Sequence, residues 1–342
     1  MNTLAVIVVN YATPDLTIRC IDAIDAARAD LPDLRLVVVD GASPDDSVAR
    51  IGGAIAARQQ GEWVTLLPLA VNGGFGFANN HGIAELARAS DLPHAIALIN
   101  PDAFVTPGAL AAMLAVLARE QRAGAVGGLL IHEDGRPQSS AFRFPTLASE
   151  FCAGARTAAL ERLLRVPPSR IDLNEMGEVP WVTGAAVLFR TAALRDVGLF
   201  DEGFFLYYEE TELMWRLRRG GWSIWHEPAA RIVHAGGAAT NIRDPETGLP
   251  RRERLPGYWY DSRRRFVTLT RGRLYGLAFN LAWVAGRAFW KLRQRAAPRP
   301  ETGALRATRD VISHGLWPTR RDATPAVAQF DASPNATPRW MG

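Results

Sequence analysis

The chain has 342 residues, of which 48% are hydrophobic and 22% are charged, and its formal net charge is +4. This length is sufficient for one large domain with an extension, and the composition excludes a wholly disordered chain. The two cysteines, Cys20 and Cys152, stand far apart, which argues against a secreted disulfide framework and favours a reducing cytoplasm.

Strand and helix patterns alternate through the first 131 residues. Short apolar runs predict buried strands, and segments with helical periodicity separate them. The predicted strands are Leu4–Val9, Leu34–Val39, Trp63–Leu67, His94–Ile99 and Ala125–Ile131, and the helices begin at Pro14, Asp46, the glycine-rich stretch after Asn72, and Pro107. We therefore expect an α/β fold with a mostly parallel central sheet flanked by helices.

Polar side chains follow three of these strands. They are Asn10 with Tyr11, the stretch from Asp40 to Ser43, and the stretch from Asn100 to Asp102. Because ligands of parallel sheets bind at the carboxyl ends of strands, this coincidence predicts a binding site there. Taken singly, Asp40 is better explained as a cap of the turn that follows, and Asp102 is also plausible as a cap of the next segment.

The stretch from Gly73 to Asn80 contains Gly74 and Gly76 before a predicted helix. Asn79 stands where a dinucleotide fingerprint needs a third glycine or alanine, so NAD binding has little support. A glycine-rich turn at a helix N-terminus still suits a nucleotide or phosphate.

Two further features indicate a metal site. Asn100 and Asp102 place an amide and a carboxylate at a strand end, which suits Mg²⁺ or Mn²⁺ beside a diphosphate. His234 ends the strand-like run from Ala230, and it is either a metal or phosphate contact or a satisfied core histidine.

The window from Phe200 to Arg216 combines aromatic residues with three glutamates at the start of a predicted helix. Glu210 shares a helical face with Leu213 and lies inward, so burial should raise its pKa as a general base requires. Glu209 is the second candidate for this role. Glu212 lies four residues before Arg216, and this spacing predicts an exposed ion pair.

These motifs together resemble the inverting family-2 glycosyltransferases of GT-A fold, in particular the rhamnosyltransferase-like branch of bacterial polysaccharide biosynthesis. The resemblance covers about residues 4 to 240. It is carried by Val9-Asn10-Tyr11, Val39-Asp40 with Ser43, Asn72 to Gly82, Leu98 to Asp102, Thr183-Gly184-Ala185, and Gly198 through Glu209-Glu210 to Arg216.

The resemblance implies a role for each motif. Asn10, Tyr11, Asp40, Gly74, Asn79 and Asn100 would line the nucleotide-sugar pocket. Asp102 and His234 would bind the divalent metal, and Glu210, with Glu209 beside it, would be the base for the acceptor hydroxyl. In two places the sequence departs from the family pattern: Asn100 replaces an acid, and Glu210 replaces an aspartate.

The function implied is inverting transfer of a sugar from a UDP- or dTDP-sugar, dTDP-rhamnose among them, to a glycan or polyprenyl-linked acceptor. No nucleic-acid partner is expected. Two other hypotheses stay open: a nucleotidyltransferase that makes the activated sugar, and an inactive nucleotide-binding scaffold in a glycan assembly complex.

We divide the chain into a catalytic domain over 1–243, a helical extension over 244–297 and a weakly ordered tail over 298–342. In the extension, arginines precede a helical segment ending near Trp290. This segment either packs on the domain or contacts the membrane as a peripheral helix. No signal peptide and no membrane-spanning run is expected, so the chain is placed in the cytoplasm or at the inner face of the membrane.

Overall fold

The computed structural model describes residues 3–88, 92–235, 254–296, 304–317 and 319–341. Strands and helices alternate in its first half, as the sequence predicts. The elements are β1 Leu4–Asn10, α1 Pro14–Ala27, β2 Arg35–Asp40, α2 Ser47–Ala57, β3 Val64–Pro68, α3 Phe75–Ala87, β4 Ala95–Ile99, β5 Ala103–Val105, α4 Ala109–Arg119 and β6 Ala123–Ile131.

The second half has shorter elements followed by two long helices. They are β7 Ala141–Phe142, α5 Leu147–Ala155, α6 Ala158–Leu163, β8 Arg170–Ile171, β9 Gly177–Glu178, β10 Trp181–Val182, β11 Ala186–Arg190, α7 Thr191–Val197, α8 Glu209–Arg219, β12 Ser223–His234, α9 Gly257–Arg271, α10 Arg273–Ala296 and α11 Ala307–Asp310, then a π-helical turn Val311–Gly315 and a 3₁₀ turn Arg321–Ala323.

The central sheet has the strand order β3-β2-β1-β4-β11-β6-β12-β5. Strands β1 to β4 are parallel to one another, and β6 is parallel to β12. Strand β11 is antiparallel to both of its neighbours. The sheet is therefore mostly parallel, and one reversed strand joins its two parallel parts.

Helices cover both faces of this sheet. On one face α1, α2 and α4 pack over a continuous apolar core. On the other, α3, α7 and α8 form a second core against the same strands. Strand β1 is buried at all but one position, as expected for a strand covered on both sides. The structure thus confirms the predicted α/β class.

Three details of the strands differ from the sequence-based prediction. The turn at residues 183–185, which separates β10 from β11, was not predicted. The short strand β5 directly after Asp102 was not anticipated. Strand β12 is much longer than predicted, and its last three residues pair with β5. This pairing brings His234 beside Ala103.

Helices α9 and α10 pack on the α/β domain through α8 and α5. The crossing of α5 and α10 is close because glycines meet there. A Cβ on Gly154 would lie 2.3 Å from the carbonyl oxygen of Trp283, and one on Gly286 would lie 2.1 Å from that of Phe151. One face of α10 is therefore a packing face. The predicted domain boundary at residue 243 lies outside the described residues.

Several described arginines of the extension are paired with acids rather than open to solvent as a basic stripe. They make ion pairs with acids of other segments, some deeply buried: Arg254 with Asp310, Arg263 with Glu150, Arg264 with Asp322 and Arg265 with Asp201. Inside a protein a guanidinium needs such a partner, so these charges serve the packing of α9 rather than a phosphate or membrane.

The described part of the C-terminal tail packs on the α/β domain, although weak order is expected from its composition. Asn335 donates a hydrogen bond to Glu202 at 2.5 Å. The indole nitrogen of Trp340 donates to the carbonyl oxygen of Gly73 at 2.9 Å, and its ring lies against Phe205. Residues near the end of the chain thus reach the glycine turn before α3.

Among the described residues, none of the helices combines the length and the apolar character needed to cross a membrane.

Candidate active site

The carboxyl ends of β1 and β2 carry a hydrogen-bonded cluster. Asn10 and Asp40 are register partners in the parallel ladder, and both side chains are buried. Asp40 accepts hydrogen bonds from the Asn10 amide at 2.7 Å, the Ser43 hydroxyl at 2.7 Å and the Ser43 backbone N–H at 2.9 Å. These bonds fix the two loops that follow the strands. Tyr11, which follows Asn10, is 47% exposed.

Both loops contain a residue in the left-handed region, Ala12 with φ of 52° and Ala42 with φ of 60°. Non-glycine residues rarely adopt this conformation, and the cost is tolerated where the surrounding structure holds them. The cluster of Asn10, Asp40 and Ser43 supplies that support, because Ser43 Oγ also accepts from the N–H of Ala12 at 2.9 Å. The sequence-based prediction that this edge holds a nucleotide stays a prediction.

The backbone conformation and a close neighbour both require glycine at position 74. Its φ is +88°, and a Cβ there would lie 1.7 Å from the carbonyl oxygen of Phe205. That oxygen accepts a hydrogen bond from the N–H of Phe75 at 3.2 Å. Asn79, one turn on, donates to the carbonyl of Phe75 at 2.9 Å, while its buried Oδ1 has no partner among the described residues. The glycine turn therefore links α3 to the loop before α8.

Asp102 and His234 lie together at the edge formed by β5 and β12. The imidazole Nε2 of His234 is 3.5 Å from Oδ1 of Asp102, and both side chains are largely buried. On its other side, His234 Nδ1 lies 3.0 Å from Oε1 of Gln138. The Gln138 amide nitrogen donates to the carbonyl oxygen of His234 at 2.6 Å, which sets the orientation of the amide.

This orientation assigns the proton of His234. Because Oε1 of Gln138 can only accept, Nδ1 of His234 is the donor, and Nε2 of the neutral ring points its lone pair toward Asp102. A lone pair facing a carboxylate suits a cation between them. No cluster of three or more His, Cys, Asp or Glu that could hold a metal occurs in the described part of the chain. Asp102 and His234 nevertheless fit Mg²⁺ or Mn²⁺, which usually binds few protein ligands and takes the rest from water and phosphate.

The two candidate bases open helix α8 after a strained turn. Tyr207 and Tyr208 both have positive φ, 71° and 68°. Glu209 is buried and Glu210 half-buried, and Oε2 of each lacks a hydrogen-bond partner within the described residues. Such unpartnered carboxylate oxygens are costly, which makes this turn a candidate functional site.

The two carboxyl groups titrate together. Burial raises the pKa of Glu209 well above its ordinary value of 4.5, and the neighbouring charge of Glu210 raises it further. Burial also raises the pKa of Glu210, which two backbone hydrogen bonds oppose. The two carboxyl groups are therefore a coupled pair that retains a proton above the ordinary pKa range of a glutamate.

Glu212 differs in part from its prediction. It pairs with Arg216, with Nε to Oε1 at 2.7 Å, but the pair is buried rather than exposed. The prediction of an exposed pair is wrong because Arg216 also donates to the carbonyl oxygens of three earlier residues, Val197, Gly198 and Leu199. The pair fixes the segment that leads into the active-site loop.

One turn connects the end of β4, just before Asp102, to the two glutamates at the start of α8. The carbonyl oxygen of Ala185 accepts from the N–H of Asn100 at 2.9 Å. A Cβ added to Gly184 would lie 3.4 Å from Cβ and Cγ of Glu210. Residues 183–185 therefore touch the end of β4 on one side and the start of α8 on the other.

Gln138 was missed by sequence reasoning. It lies in a stretch that shows no periodicity, but Asp134-Gly135 is a strong hairpin signal between Ile131 and Pro137. The structure has that reversal, with His132 and Arg136 joined by a backbone hydrogen bond of 2.8 Å. Following this turn would have placed Gln138 back beside the end of β6.

Comparison with known proteins gives matches over most of the chain. The sequence model described as glycosyltransferase like family 2 matches residues 2–254. A curated relative from Mycobacterium tuberculosis, N-acetylglucosaminyl-diphospho-decaprenol L-rhamnosyltransferase, is 33% identical over 212 residues, which are 60% of this chain and 69% of the relative.

Two solved structures are similar in fold. A mannosyltransferase from Pyrobaculum calidifontis in complex with GDP-Man and Mn²⁺ has a TM-score of 0.52 at 18% identity, covering 91% of this chain and 79% of that one. GalNAc-T7 with UDP, GalNAc and Mn²⁺ has a TM-score of 0.55 at 12% identity, covering 96% of this chain and 55% of that one. At these identities the likeness shows the fold alone.

Proposed function

The chain belongs to glycosyltransferase family 2, and on this premise we propose that it transfers a sugar from a UDP- or dTDP-sugar to a lipid-linked glycan acceptor with inversion. Its architecture confirms the GT-A fold implied by the sequence resemblance. The name of its M. tuberculosis relative suggests L-rhamnose as the transferred sugar and a polyprenyl diphosphate-linked N-acetylglucosamine as the acceptor.

The observation that carries this proposal is the contact of residues 183–185 with both Asn100 and Glu210. It joins the strand end that leads to Asp102 to the helix that opens with the candidate base. Inverting transfer needs a base on the acceptor side and charge neutralisation on the leaving-group side. The turn at residues 183–185 holds the end of β4 next to the start of α8.

In the proposed reaction, Glu210 accepts the proton of the acceptor hydroxyl while that oxygen forms a bond to the anomeric carbon. The bond from this carbon to the nucleoside diphosphate breaks on the opposite face, so the configuration inverts. Asp102 and His234 would hold the divalent cation that neutralises charge on the leaving diphosphate. Asn10, Tyr11, Asp40, Gly74, Asn79 and Asn100 would form the nucleotide-sugar pocket.

Peripheral membrane contact is part of the proposal, and the outer face of α10 supports it. Leu274, Leu281 and Leu292 are 86%, 47% and 62% exposed, and with Ala285 and Ala288 they form one stripe. The helix also carries five cationic residues and no acid. An exposed apolar stripe on a cationic helix suits the surface of an anionic bilayer, where a lipid-linked acceptor would lie.

An activity screen tests the function. The protein would be incubated with UDP-GlcNAc, UDP-glucose, dTDP-rhamnose or GDP-mannose and a short-chain isoprenyl-diphospho-N-acetylglucosamine, with Mn²⁺, with Mg²⁺ or with EDTA. We expect metal-dependent release of UDP or dTDP and a product of inverted anomeric configuration by NMR. Absence of turnover with every donor, together with no metal-dependent nucleotide binding, would contradict the enzyme and favour the scaffold hypothesis.

A further inference from the structure

A cavity of about 510 Å³ lies beside the pair formed by Asp102 and His234, outside the site described above. Its walls come from the bulge of β12, the hairpin after β6, and the segment Ile171–Asn174. The volume falls in the range of about 300–1,000 Å³ that small-molecule sites span. Gln138 lines the cavity and also bonds His234, so the cavity adjoins the candidate metal site.

The cavity wall on β12 is formed by a β-bulge in the central sheet. The pairing of β12 with β6 shifts register between Glu227 and Arg231, where Pro228 has no N–H to donate. Gly128 on β6 makes room for the bulge, because a Cβ there would lie 2.6 Å from the carbonyl oxygen of Ala230. Bulges of this kind redirect side chains next to active sites.

His226, just before the bulge, lines the cavity with an unsatisfied ring. The residue is 2% exposed, yet neither ring nitrogen has a hydrogen-bond partner among the described residues. Burial lowers the pKa of His226, which favours the neutral ring; a weak backbone contact with Gly128, short of good hydrogen-bond geometry, and the carboxylate of Asp172 oppose this shift. A neutral imidazole offers one donor and one acceptor, and leaving both unused in a buried position is costly.

The other walls combine polar groups with apolar surface. Asp172 and Asn174 supply a carboxylate and an amide, while Leu129 and Leu173 supply apolar surface. A pyranose ring has the matching character, with hydroxyl groups around its edge and C–H groups on its faces. Arg231, exposed and also part of the lining, adds a positive charge that suits a diphosphate.

We propose that this cavity binds a pyranose ring of the glycosyl acceptor, with His226 and Asp172 contacting ring hydroxyls and Arg231 facing the acceptor's diphosphate. The inference rests on the proposed function and adds to it the place of the acceptor and residues that select it.

The test separates acceptor binding from donor chemistry. Steady-state KM for the short-chain isoprenyl-diphospho-N-acetylglucosamine would be measured for His226→Phe and Asp172→Asn, together with donor hydrolysis in the absence of acceptor. We expect each variant to raise acceptor KM about tenfold and to leave donor KM and donor hydrolysis within twofold. Glu175→Gln, an exposed neighbour outside the lining, is the matched control and should change none of these values.

Because His226 is buried, folding of His226→Phe would be checked by thermal unfolding. Asp172 is exposed, so Asp172→Asn tests the cavity even if His226→Phe does not fold. Unchanged acceptor KM in a folded Asp172→Asn with active wild-type enzyme would overturn the inference alone. The inference also fails if Asp172→Asn changes the effect of free N-acetylglucosamine on donor hydrolysis but leaves the acceptor KM at the wild-type value. A wild-type enzyme without transfer or donor hydrolysis would instead overturn the proposed function.

Discussion

His234 Nε2 lies 3.5 Å from Asp102 Oδ1, longer than a good hydrogen bond and short enough for a cation to contact both. Because Nδ1–H of His234 donates its hydrogen bond to Oε1 of Gln138, the two facing atoms are both acceptors in the neutral state of the ring. This arrangement supports the proposal that the two side chains share a metal ion. Antiparallel pairing of His234 with Ala103 produces this arrangement.

The first prediction concerns this pair. Asp102→Asn should weaken Mn²⁺ binding in the presence of UDP or dTDP by at least about tenfold, since second-shell changes alone cost metal sites about 10- to 100-fold. Isothermal titration calorimetry measures it. Asp33→Asn, an exposed substitution before β2, is the control. Equal metal affinity in Asp102→Asn and wild type would remove Asp102 from the site.

The second prediction concerns the base. Glu210→Gln should lower kcat by about 10²- to 10⁴-fold, the usual contribution of a general base, with donor affinity retained. Burial raises the pKa of Glu210 above 4.5, and only the ionised form accepts a proton. The rate of the wild type should therefore rise with pH through this raised pKa, and a pH profile of kcat shows it.

A control distinguishes the two neighbouring glutamates. Glu209→Gln keeps the neutral form that burial favours at this position, so kcat and the acidic limb of its pH profile should change little. If Glu209→Gln abolishes turnover while Glu210→Gln retains it, the assignment of the base is reversed.

The third prediction concerns stability. Glu209 has a folded pKa raised above its unfolded value, so the folded state binds more protons between pH 4.5 and that raised value, and its contribution to stability is lost as pH rises. Glu209→Gln removes this loss. Its free energy of unfolding should exceed that of the wild type at pH 7 and match it more closely at pH 4, measured by urea unfolding. A larger gain at pH 4 would contradict the sign.

The fourth prediction concerns the buried ion pair between Arg265 and Asp201, whose side chains are 4% and 1% exposed. Asp201→Asn leaves a buried guanidinium without its counter-charge and should cost about 3–5 kcal/mol of unfolding free energy. Glu133→Gln breaks the exposed pair with Arg19 and should cost less than about 1 kcal/mol. Similar urea midpoints for the two variants would show that the buried pair is not needed for the fold.

The fifth prediction concerns the outer stripe of α10. Replacing Leu274, Leu281 and Leu292 with serine should abolish flotation with liposomes containing anionic lipid and leave thermal stability unchanged, because these side chains contact solvent. The control replaces Leu163 and Leu164, exposed on and just after α6, with serine. Equal flotation of the α10 variant and the wild type would contradict membrane contact.

The first part of the fold was predictable because its signals are local. Apolar runs and helix starts gave β1, β2 and β4 within a residue or two, and the polar residues after them do lie at strand ends. The Asn10–Asp40 contact follows directly from parallel pairing in register. Here local sequence and topology agree.

What was missed depends on distant partners. The ion pairs of Arg263 and Arg265 involve acids more than sixty residues away, so a run of arginines could not be told from an open basic surface. Gln138 reaches His234 through a hairpin in an irregular stretch. Glu212 is buried because Arg216 binds a loop that has no periodic signal. Such side-chain networks have no signature in the sequence near either member.

The contact of Trp340 with Gly73 has a consequence for how the protein is made. The glycine turn leaves the ribosome early, and domains generally begin to fold from the N-terminus during synthesis. Its neighbour Phe205 arrives more than a hundred residues later, and the indole of Trp340, which donates to the carbonyl oxygen of Gly73, arrives more than a hundred residues after Phe205. The glycine turn is thus completed well after the sheet, so a nascent chain or one shortened before Trp340 would have the sheet but not a finished glycine turn.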